Sequence, residues 1–263
     1  MIKMPDAKPP RRETSPAELT RAALVQAALK LFGRQGFDGT STRELAAEAG
    51  ANIGSIAYHF GGKEGLRAAA ADFIVETIQA VAGQALGVGQ ALGAGQALGA
   101  GQALGAGQAL GAGQTLDGQA VTAGDPEAAR AQLIAALERM VGFVVASPQA
   151  GEIVQFVLRE LSHPTAALDR IYDGVFEPAH RRLCLLWEQA TGEPAESERT
   201  RLTVFTLIGQ VIYFRIGREA VMRRMGWHDI GAAEAAKVVA VTTDNLGAML
   251  AARKGAGMKG SRQ

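Results

Sequence analysis

Residues 40–66, TSTRELAAEAGANIGSIAYHFGGKEGL, form two short helical patterns on either side of a glycine turn. A hydroxyl of Thr40, Ser41 or Thr42 can cap the first helix, because it accepts a hydrogen bond from an amide that the helix leaves unpaired. Glu44 follows Ser41 by three residues, which suits a capping box. The stretch therefore predicts a helix that starts beside these hydroxyl residues.

The first helix also has a predictable end and an apolar face. Gly50 stands where a left-handed backbone conformation would terminate the helix, and glycine adopts that conformation without a Cβ penalty. The second helix would start near Asn52. Its Ile56 and Phe60 lie on one face, where they can pack against Leu45. Two helices joined by so tight a turn form a helix-turn-helix.

The other face of the second helix carries Gly54, Ala57 and Tyr58 and is small and nearly uncharged. Such a face is unusual on a helix that meets only solvent. It suits a helix inserted into the DNA major groove, where bulk and desolvated charge both cost free energy. Periodicity alone leaves a second interpretation open, because short helices linked by glycine occur in any α-helical protein.

The same residues resemble the DNA-binding motif of the tetracycline-repressor (TetR) family. The matching parts are STRELA at residues 41–46, Gly50–Ala51, His59–Phe60 and KEGL at residues 63–66. The sequence departs from the usual motif at one point. The family has a tyrosine two residues before the histidine, whereas this chain has Ala57 there and carries its aromatic residue at Tyr58.

The resemblance implies which side chains meet DNA. It assigns phosphate contacts to Thr42, Ser55, Tyr58 and Lys63. It assigns positions near base edges or methyl groups to Arg43, Ile53, Gly54, Ala57 and His59. Helical periodicity puts Ile53 at the margin of the apolar face, so its outward position rests on the resemblance. His59 stands at a helix end, where a structural hydrogen bond is the alternative role.

Composition limits the function further. The 263 residues suffice for one large domain or two modest ones. The formal net charge is +1, and residues 3–64 hold nine Lys/Arg and seven Asp/Glu. So weak a charge argues against strong nonspecific DNA binding and gives more weight to positioned contacts and dimerisation. The single cysteine, Cys184, excludes a disulfide framework within the chain and a cysteine-based zinc site.

The sequence shows neither a signal peptide nor a membrane span. Its first residues, MIKMPDAKPPRRETSP, contain no apolar segment of the kind that a signal peptide requires. The apolar run at 204–214 is interrupted by Gln210 and is too short to cross a bilayer. We therefore expect a cytoplasmic protein.

We expect an all-α protein with an N-terminal three-helix helix-turn-helix DNA-binding domain, followed by a helical ligand-binding and dimerisation domain. Ser15 and Pro16 mark the start of the first helix, and Gly36 ends it. In chain order the expected segments are a disordered basic arm at 1–15, the DNA-binding domain at 16–61, a linker helix at 62–82, a low-complexity insertion at 83–122, the ligand-binding and dimerisation domain at 123–252, and a disordered tail at 253–263.

The insertion repeats the unit Gly-Gln-Ala-Leu-Gly-Ala almost identically over residues 83–118. Its glycines disfavour a packed helix, because each costs about 1 kcal/mol relative to alanine. A left-handed β-helix is a second interpretation, although the segment would make only about two coils where stacked repeats need at least three. A functional hinge is a third. We expect an insertion without chemistry that lengthens the connection after the linker helix.

The residues after the insertion return to a helical pattern. Asp125, Pro126 and Glu127 suit a helix start, because they supply an N-cap, a first-turn proline and an acid that favours the helix dipole. The expected helices are 125–147 and 149–162, then two segments at 165–177 and 179–191 that flank Pro178. Two further helices are expected to start at Ser197 and at Asp229.

The segment from Arg159 to Trp187 resembles the C-terminal domain of one TetR subgroup, the CerR-type regulators. That resemblance implies a body that binds an inducer and a target often related to efflux. The family's architecture also implies that the last two long helices pair with their equivalents in a second subunit. Gly209, Gly217, Gly247 and Ala248 would let such helices approach closely, although the same residues could pack within one subunit.

Candidate ligand-binding residues are polar or aromatic side chains among apolar neighbours on the expected core helices. They are Arg159, Glu160, His163, Tyr172, His180, Trp187, Gln210, Tyr213 and Arg215. An unpaired charge is costly in such surroundings, so pairing of Arg159 and Arg215 with an acid is the structural alternative. If either arginine is free in a cavity, an anionic or phenolic effector follows.

No catalytic or metal site assembles in the sequence. His163, His180 and His228 lack the spacing of metal ligands, and Cys184 within LCLLW suits a buried thiol. We therefore expect no enzyme and no cofactor. The sequence favours a repressor that a small-molecule effector releases from a palindromic operator. The alternatives are an α-helical enzyme or carrier with a chance helix-turn-helix, and a scaffold built on the repeat.

Overall fold

The computed structural model describes residues 15–85 and 125–259, and every regular element in these two ranges is a helix. The first range forms α1 (Pro16–Gln35), α2 (Thr42–Glu48), α3 (Gly54–Phe60) and α4 (Lys63–Ala85). Ser15 caps α1 in a capping box with Glu18, as a serine followed by proline at the first turn predicts. The all-α class expected from the sequence is confirmed.

The second range forms the body of the protein. Its helices are α5 (Pro126–Val141), α6 (Pro148–Ser162), α7 (Ala166–Ile171), α8 (Glu177–Thr191), α9 (Glu198–Ile216), α10 (Arg218–Met225) and α11 (Ala232–Lys259). Wider π-helical turns follow α5 at Gly142–Ala146 and α7 at Tyr172–Phe176.

The chain stays helical through Pro178, where the sequence predicts a break. The π-helical turn at Tyr172–Phe176 leads directly into α8, and Pro178 lies in the first turn of that helix. Proline is tolerated there because its missing N–H would have no partner within the helix. The two expected segments on either side of Pro178 are therefore one continuous helical stretch.

The C-terminal helices also differ from expectation. The short helix α10 is not predicted from the sequence, because none of its side chains is fully buried, although Val221 and Met222 pack partly against the second core described below. α11 starts at Ala232 rather than at Asp229, and it continues to Lys259, past the expected end of the body at residue 252. The repeat from residue 86 onward lies outside the described residues, as do the arm at 1–14 and the last residues, 260–263.

A first hydrophobic core joins the first four helices to part of the body. Its buried members in α1 to α4 include Leu24, Phe32, Leu45, Ile56 and Leu66. Ile153 and Phe156 of α6 and Ile171 of α7 belong to the same core. The first four helices therefore do not close their core alone, but share it with two helices of the body.

A second core holds α5, α8, α9 and α11 together. Val141, Trp187, Val211 and Leu246 are buried in it. Trp187 is fully buried, and its indole N–H donates a hydrogen bond to the carboxylate of Glu193 at 2.9 Å. The polar atom of this large side chain is thus satisfied, which makes Trp187 a stable centre for the body.

Polar contacts reinforce the junction between the two parts. Arg159 of α6 donates to the carbonyl of Gln35 at 3.3 Å, so a cation lies at the negative end of α1. Arg170 of α7 pairs with Asp72 of α4 at 3.0 Å. The first four helices are therefore attached to the body both by α6 on α1 and by α7 on α4.

No single described helix is long and apolar enough to cross a membrane. The segments Pro126–Ala146 and Pro148–Ser162 reach that length and composition only when taken as a pair, and this pair is bent by 90°.

Ile153→Ala should lower the free energy of unfolding by about 2–5 kcal/mol, because it opens a cavity at a core side chain that is only 2% exposed. Leu161→Ala is the matched control in the same helix, and at 51% exposure it should change that free energy by only about 0.5 kcal/mol. Urea denaturation followed by circular dichroism measures both. Equal losses in the two variants would contradict the assignment of α6 to the shared core.

Candidate nucleic-acid interface

The start of α2 is fixed by the capping box that the sequence predicts. The Ser41 hydroxyl accepts from the Glu44 amide at 3.2 Å, and the Glu44 carboxylate accepts from the Ser41 amide at 2.7 Å. These bonds from the Ser41 backbone and hydroxyl, together with the charge of Lys63, lower the pKa of Glu44. The box places Thr42 and Arg43 in the first turn of α2.

The turn between α2 and α3 contains Gly50 in the left-handed conformation that the sequence predicts. Gly50 has a φ of 61°, in the left-handed region, and the next amide, that of Ala51, donates to the carbonyl of Ala46 at 2.9 Å. The side-chain oxygen of Asn52 accepts from the Gly54 amide at 2.8 Å. Asn52 therefore lies just before α3 and holds its first amide, while Ile53 occupies the N-cap position without a side-chain hydrogen bond and the helix begins at Gly54.

α3 has one buried face and one exposed face. Ile56 is fully buried and Phe60 packs against the same core, on the side that faces Leu45. On the other side, Tyr58 is 83% exposed and Ile53 is 51% exposed. The exposed side also carries Gly54 and Ala57, so most of the side chains expected at base edges lie on a single outward surface.

The aromatic end of α3 is ordered by ring contacts. The ring of His59 meets the Tyr58 ring edge-on, with 4.8 Å between centroids, and lies 6.0 Å from the ring of Phe60. His59 is only partly exposed. It therefore stands between the outward surface and the core, while Tyr58 projects freely.

α3 passes into α4 through a close backbone approach. The carbonyl oxygen of Phe60 lies 1.8 Å from the position that a Cβ at Gly65 would occupy. Only glycine can stand there, because the clash would be with backbone rather than with a movable side chain. This contact fixes Lys63, the first residue of α4, beside the end of α3.

Sequence reasoning does not find Phe37 as a member of this site. The Lys63 ammonium lies 4.1 Å from the centroid of the Phe37 ring, and the Arg67 guanidinium lies 3.9 Å from it. The only sequence signal is the four-residue spacing of the two cations, and it does not say which ring they face.

The candidate ligand-binding residues lie in several different surroundings. Arg159 contacts α1, and Glu160 is buried, with its carboxylate accepting from the Thr165 hydroxyl at 2.5 Å. His163 is exposed at the end of α6, and Tyr172 is exposed in the π-helical turn after α7. These four side chains therefore do not face a single cavity.

The remaining candidates lie on α8 and α9. His180 stacks on Phe205 with 4.0 Å between ring centroids, and Trp187 is in the second core. Gln210 and Tyr213 belong to the outer side of α9, where the Gln210 side chain accepts from Asn245 of α11 at 3.2 Å. Arg215, near the end of α9, donates to the carbonyl of Ser147 at 2.5 Å.

The outer sides of α9 and α11 expose apolar side chains. The exposed residues are Leu202, Phe205, Tyr213 and Ile216 on α9 and Val241 on α11. Two open depressions lie on the same surface. One of about 550 Å³ is lined by α9, and one of about 380 Å³ lies between α9 and α11, with Gln210 and Asn245 on its walls.

An exposed, capped helix after a glycine turn, joined to a large helical body, defines the chain as a helix-turn-helix regulator. Residues 24–70 match the family model of the bacterial regulatory proteins of the tetR family. Residues 129–253 match the C-terminal domain of the HTH-type transcriptional dual regulator CecR. CecR of Shigella flexneri is 31% identical over 218 residues, which are 81% of this chain and 83% of that relative.

The chain therefore belongs to the TetR family of bacterial transcriptional regulators, in the group with a CecR-type C-terminal domain. This confirms the subgroup expected from residues 159–187, whose name is CecR rather than CerR. The relatives are transcriptional regulators and not enzymes, and the chain is a DNA-binding transcriptional regulator.

Solved structures share the fold. AibR in complex with isovaleryl coenzyme A and operator DNA has a TM-score of 0.55 at 14% identity, over 85% of this chain and 96% of that one. A TetR-like transcriptional regulator from Rhodococcus sp. RHA1 has a TM-score of 0.51 at 19% identity, over 88% and 96% of the two chains. At such low identity these matches bear on the fold alone.

Proposed function

We propose that the chain is a dimeric repressor that binds a palindromic operator through α3 and leaves it when a small-molecule effector binds the body. The observation that carries the proposal is the two-sided character of α3, where Tyr58 projects into solvent while Ile56 behind it is fully buried. The proposed location is the cytoplasm, where such a regulator meets DNA.

In the proposed complex, α3 enters the major groove with its small outward face. Gly54 and Ala57 allow the helix axis to approach the bases, and the methyl groups of Ile53 and Ala57 can contact thymine. Arg43 and His59 offer hydrogen bonds to base edges. The proposed phosphate contacts come from Thr42, Ser55, Tyr58 and Lys63. Such contacts fix the register of the protein on the duplex, while the base contacts supply the specificity.

The proposed dimer forms through the outer sides of α9 and α11. Large exposed apolar side chains at helical spacing on two neighbouring helices are typical of a protein interface. Gly209 lies in the same row on α9, and a Cβ there would meet nothing within 4 Å, so this surface is open to a partner. A twofold pair would carry two copies of α3, which a palindrome requires.

Among the candidate ligand-binding residues, Arg215 has the surroundings that most favour binding an effector. Its Nε is buried without a hydrogen-bond partner, and no described carboxylate forms an ion pair with its guanidinium. Burial, and then the nearby charge of Arg218, lower its pKa. A partly buried cation without a counter-charge is disfavoured, and an effector with an anionic group would supply that charge.

α6 offers a route from the proposed effector site to the DNA-binding helices. Arg215 contacts the start of α6, where its guanidinium lies within about 4 Å of the position of a Cβ at Gly151. The other half of α6 carries Phe156 and Arg159, which pack on α1. In our mechanism an effector shifts α6, α6 displaces α1, and the two copies of α3 lose the spacing that the operator needs.

AibR, which shares the fold, was solved with both an acyl coenzyme A and operator DNA. That complex supports the view that this fold accommodates an effector and an operator. The proposed target, an efflux or detoxification operon, rests on the resemblance of the CecR-type body alone. A reporter gene downstream of the selected operator, measured with and without the chain, tests the sign of regulation.

Selection from a random duplex library should recover a palindrome for the wild-type chain. Tyr58→Ala should weaken binding to that duplex about tenfold or more, because it removes a hydrogen bond to a charged phosphate. Tyr172→Ala is the control, since this tyrosine is exposed but lies in the body. Fluorescence anisotropy at fixed salt measures both. Binding without sequence preference, or equal losses in the two variants, would contradict the proposal.

Leu202→Glu should convert the dimer to a monomer, because it places a charge on the proposed apolar interface. Leu161→Glu introduces the same charge at a leucine of similar exposure on α6 and should leave the dimer intact. Sedimentation velocity gives the mass of each species. A wild-type monomer, or a Leu202→Glu dimer, would show that α9 does not form the interface.

Aliphatic and aromatic carboxylates should include compounds that raise the melting temperature of the wild-type chain and release it from DNA. Arg215→Gln should lose both responses, because it removes the cation that balances the ligand. Arg223→Gln is the control, since Arg223 is exposed and already paired with Glu219 at 2.6 Å. Responses confined to neutral or cationic compounds, or kept by Arg215→Gln, would refute the anionic effector.

A further inference from the structure

Lys63 occupies an electrostatically unfavourable position. It is the first residue of α4, a helix that runs to Ala85, and the amino end of a helix carries a partial positive charge. The partly buried side chain of Lys63 forms no ion pair with any described carboxylate, whereas Arg67, one turn later, pairs with Glu64 at 2.6 Å. No ion pair with a described carboxylate therefore orients the Lys63 ammonium group.

The ring of Phe37 contacts this ammonium group instead. The ammonium nitrogen of Lys63 lies 4.1 Å from the ring centroid, within the range of a cation–π attraction. Phe37 comes from the loop between α1 and α2, and its ring packs on Phe32 with 5.3 Å between centroids. Because Phe32 is buried in the shared core, the ring is anchored there and offers a fixed surface to the cation.

The contact leaves the ammonium group available to an anion. An aromatic face attracts the cation through its quadrupole and takes none of the three N–H donors in a directed hydrogen bond. The Glu44 carboxylate is near enough for Lys63 to lower its pKa, but its Oε2 accepts from the Ser41 amide and hydroxyl, and the two side chains form no ion pair. Lys63 is thus oriented without being neutralised by an ion pair.

We propose that Phe37 is a positioning residue for DNA binding, which holds the Lys63 ammonium group at the start of α4 ready for a phosphate of the operator. This inference rests on the proposed phosphate contact of Lys63. A long lysine side chain loses conformational entropy when it is fixed, and a contact made before binding lowers that cost in the complex. The unpaired amides at the start of α4 favour the same anion.

A double-mutant cycle on the duplex selected with the wild-type chain tests the proposal. Phe37→Leu keeps an apolar side chain but removes the ring, and it should weaken binding about three- to tenfold. The slope of log affinity against log salt should fall by up to about 0.9, the value for one phosphate contact. Phe37→Tyr keeps the ring and should keep both the affinity and the slope.

The cycle separates positioning from a structural effect. In a Lys63→Ala background, Phe37→Leu should change affinity by less than about twofold, because the cation proposed to meet the phosphate is absent. Arg67, the other cation on this ring, is already paired with Glu64 at 2.6 Å. An equal loss in both backgrounds, with the salt slope unchanged, would mean that Phe37 acts on folding alone and would overturn the proposal.

A measurement on the free wild-type protein tests whether Lys63 contacts the Phe37 ring, even if Phe37→Leu does not fold. Nuclear magnetic resonance should show the side-chain methylene protons of Lys63 shifted upfield by the ring current of Phe37. Unshifted signals would overturn the proposal. A wild-type chain that binds its duplex with the same salt slope as Lys63→Ala would overturn it too, while leaving the regulator function intact. A wild-type chain that selects no duplex would refute both.

Discussion

The packing of α6 on α1 is the contact on which the rest of the structure depends. No other pair of described helices meets as extensively, and Ile153 and Phe156 complete the core that the DNA-binding helices begin. Arg159 adds a cation at the carboxyl end of α1. Because protein interiors are close-packed, a displacement of α6 cannot be absorbed locally and must reach α1. The fold thereby links the body mechanically to the helix that supports α2 and α3.

The helix-turn-helix, α2 and α3, is positioned differently. Local hydrogen bonds and backbone contacts hold it, rather than extensive side-chain packing. A capping box starts α2, Gly50 follows its end, and the Asn52 side chain accepts from the first amide of α3. The approach of the Phe60 carbonyl to Gly65 then sets the angle between α3 and α4. Such constraints fix the orientation of α3 while leaving its outer face free, so the surface proposed to meet DNA needs no packing of its own.

The local features of this unit could be predicted from the sequence, because short-range chemistry determines them. Ser41 and Glu44 predict the start of α2, and Gly50 predicts its end. The limits of α1 and the outward position of Tyr58 follow equally from nearby residues. The family was recognisable for the same reason, since its motif is a set of such local signals at fixed spacing.

What the sequence could not supply depends on contacts between distant segments. Nothing in the chain near Phe37 indicates that Lys63 lies over its ring, and nothing near Arg159 indicates that its partner is a carbonyl of α1 rather than an acid. α10 is not predicted because it is short and none of its side chains is fully buried. The proposed ligand residues are scattered for a related reason, because an aromatic or charged residue on a core helix suits packing as well as binding.

The central claim is that two copies of α3 meet DNA on one face of the duplex, related by a twofold axis. Hydroxyl-radical footprinting of the full chain on its selected duplex tests this most directly. The account predicts two equally protected patches related by symmetry, with centres about 34–36 Å apart, which is one helical turn. A single protected patch, or uniform protection along the duplex, would contradict it.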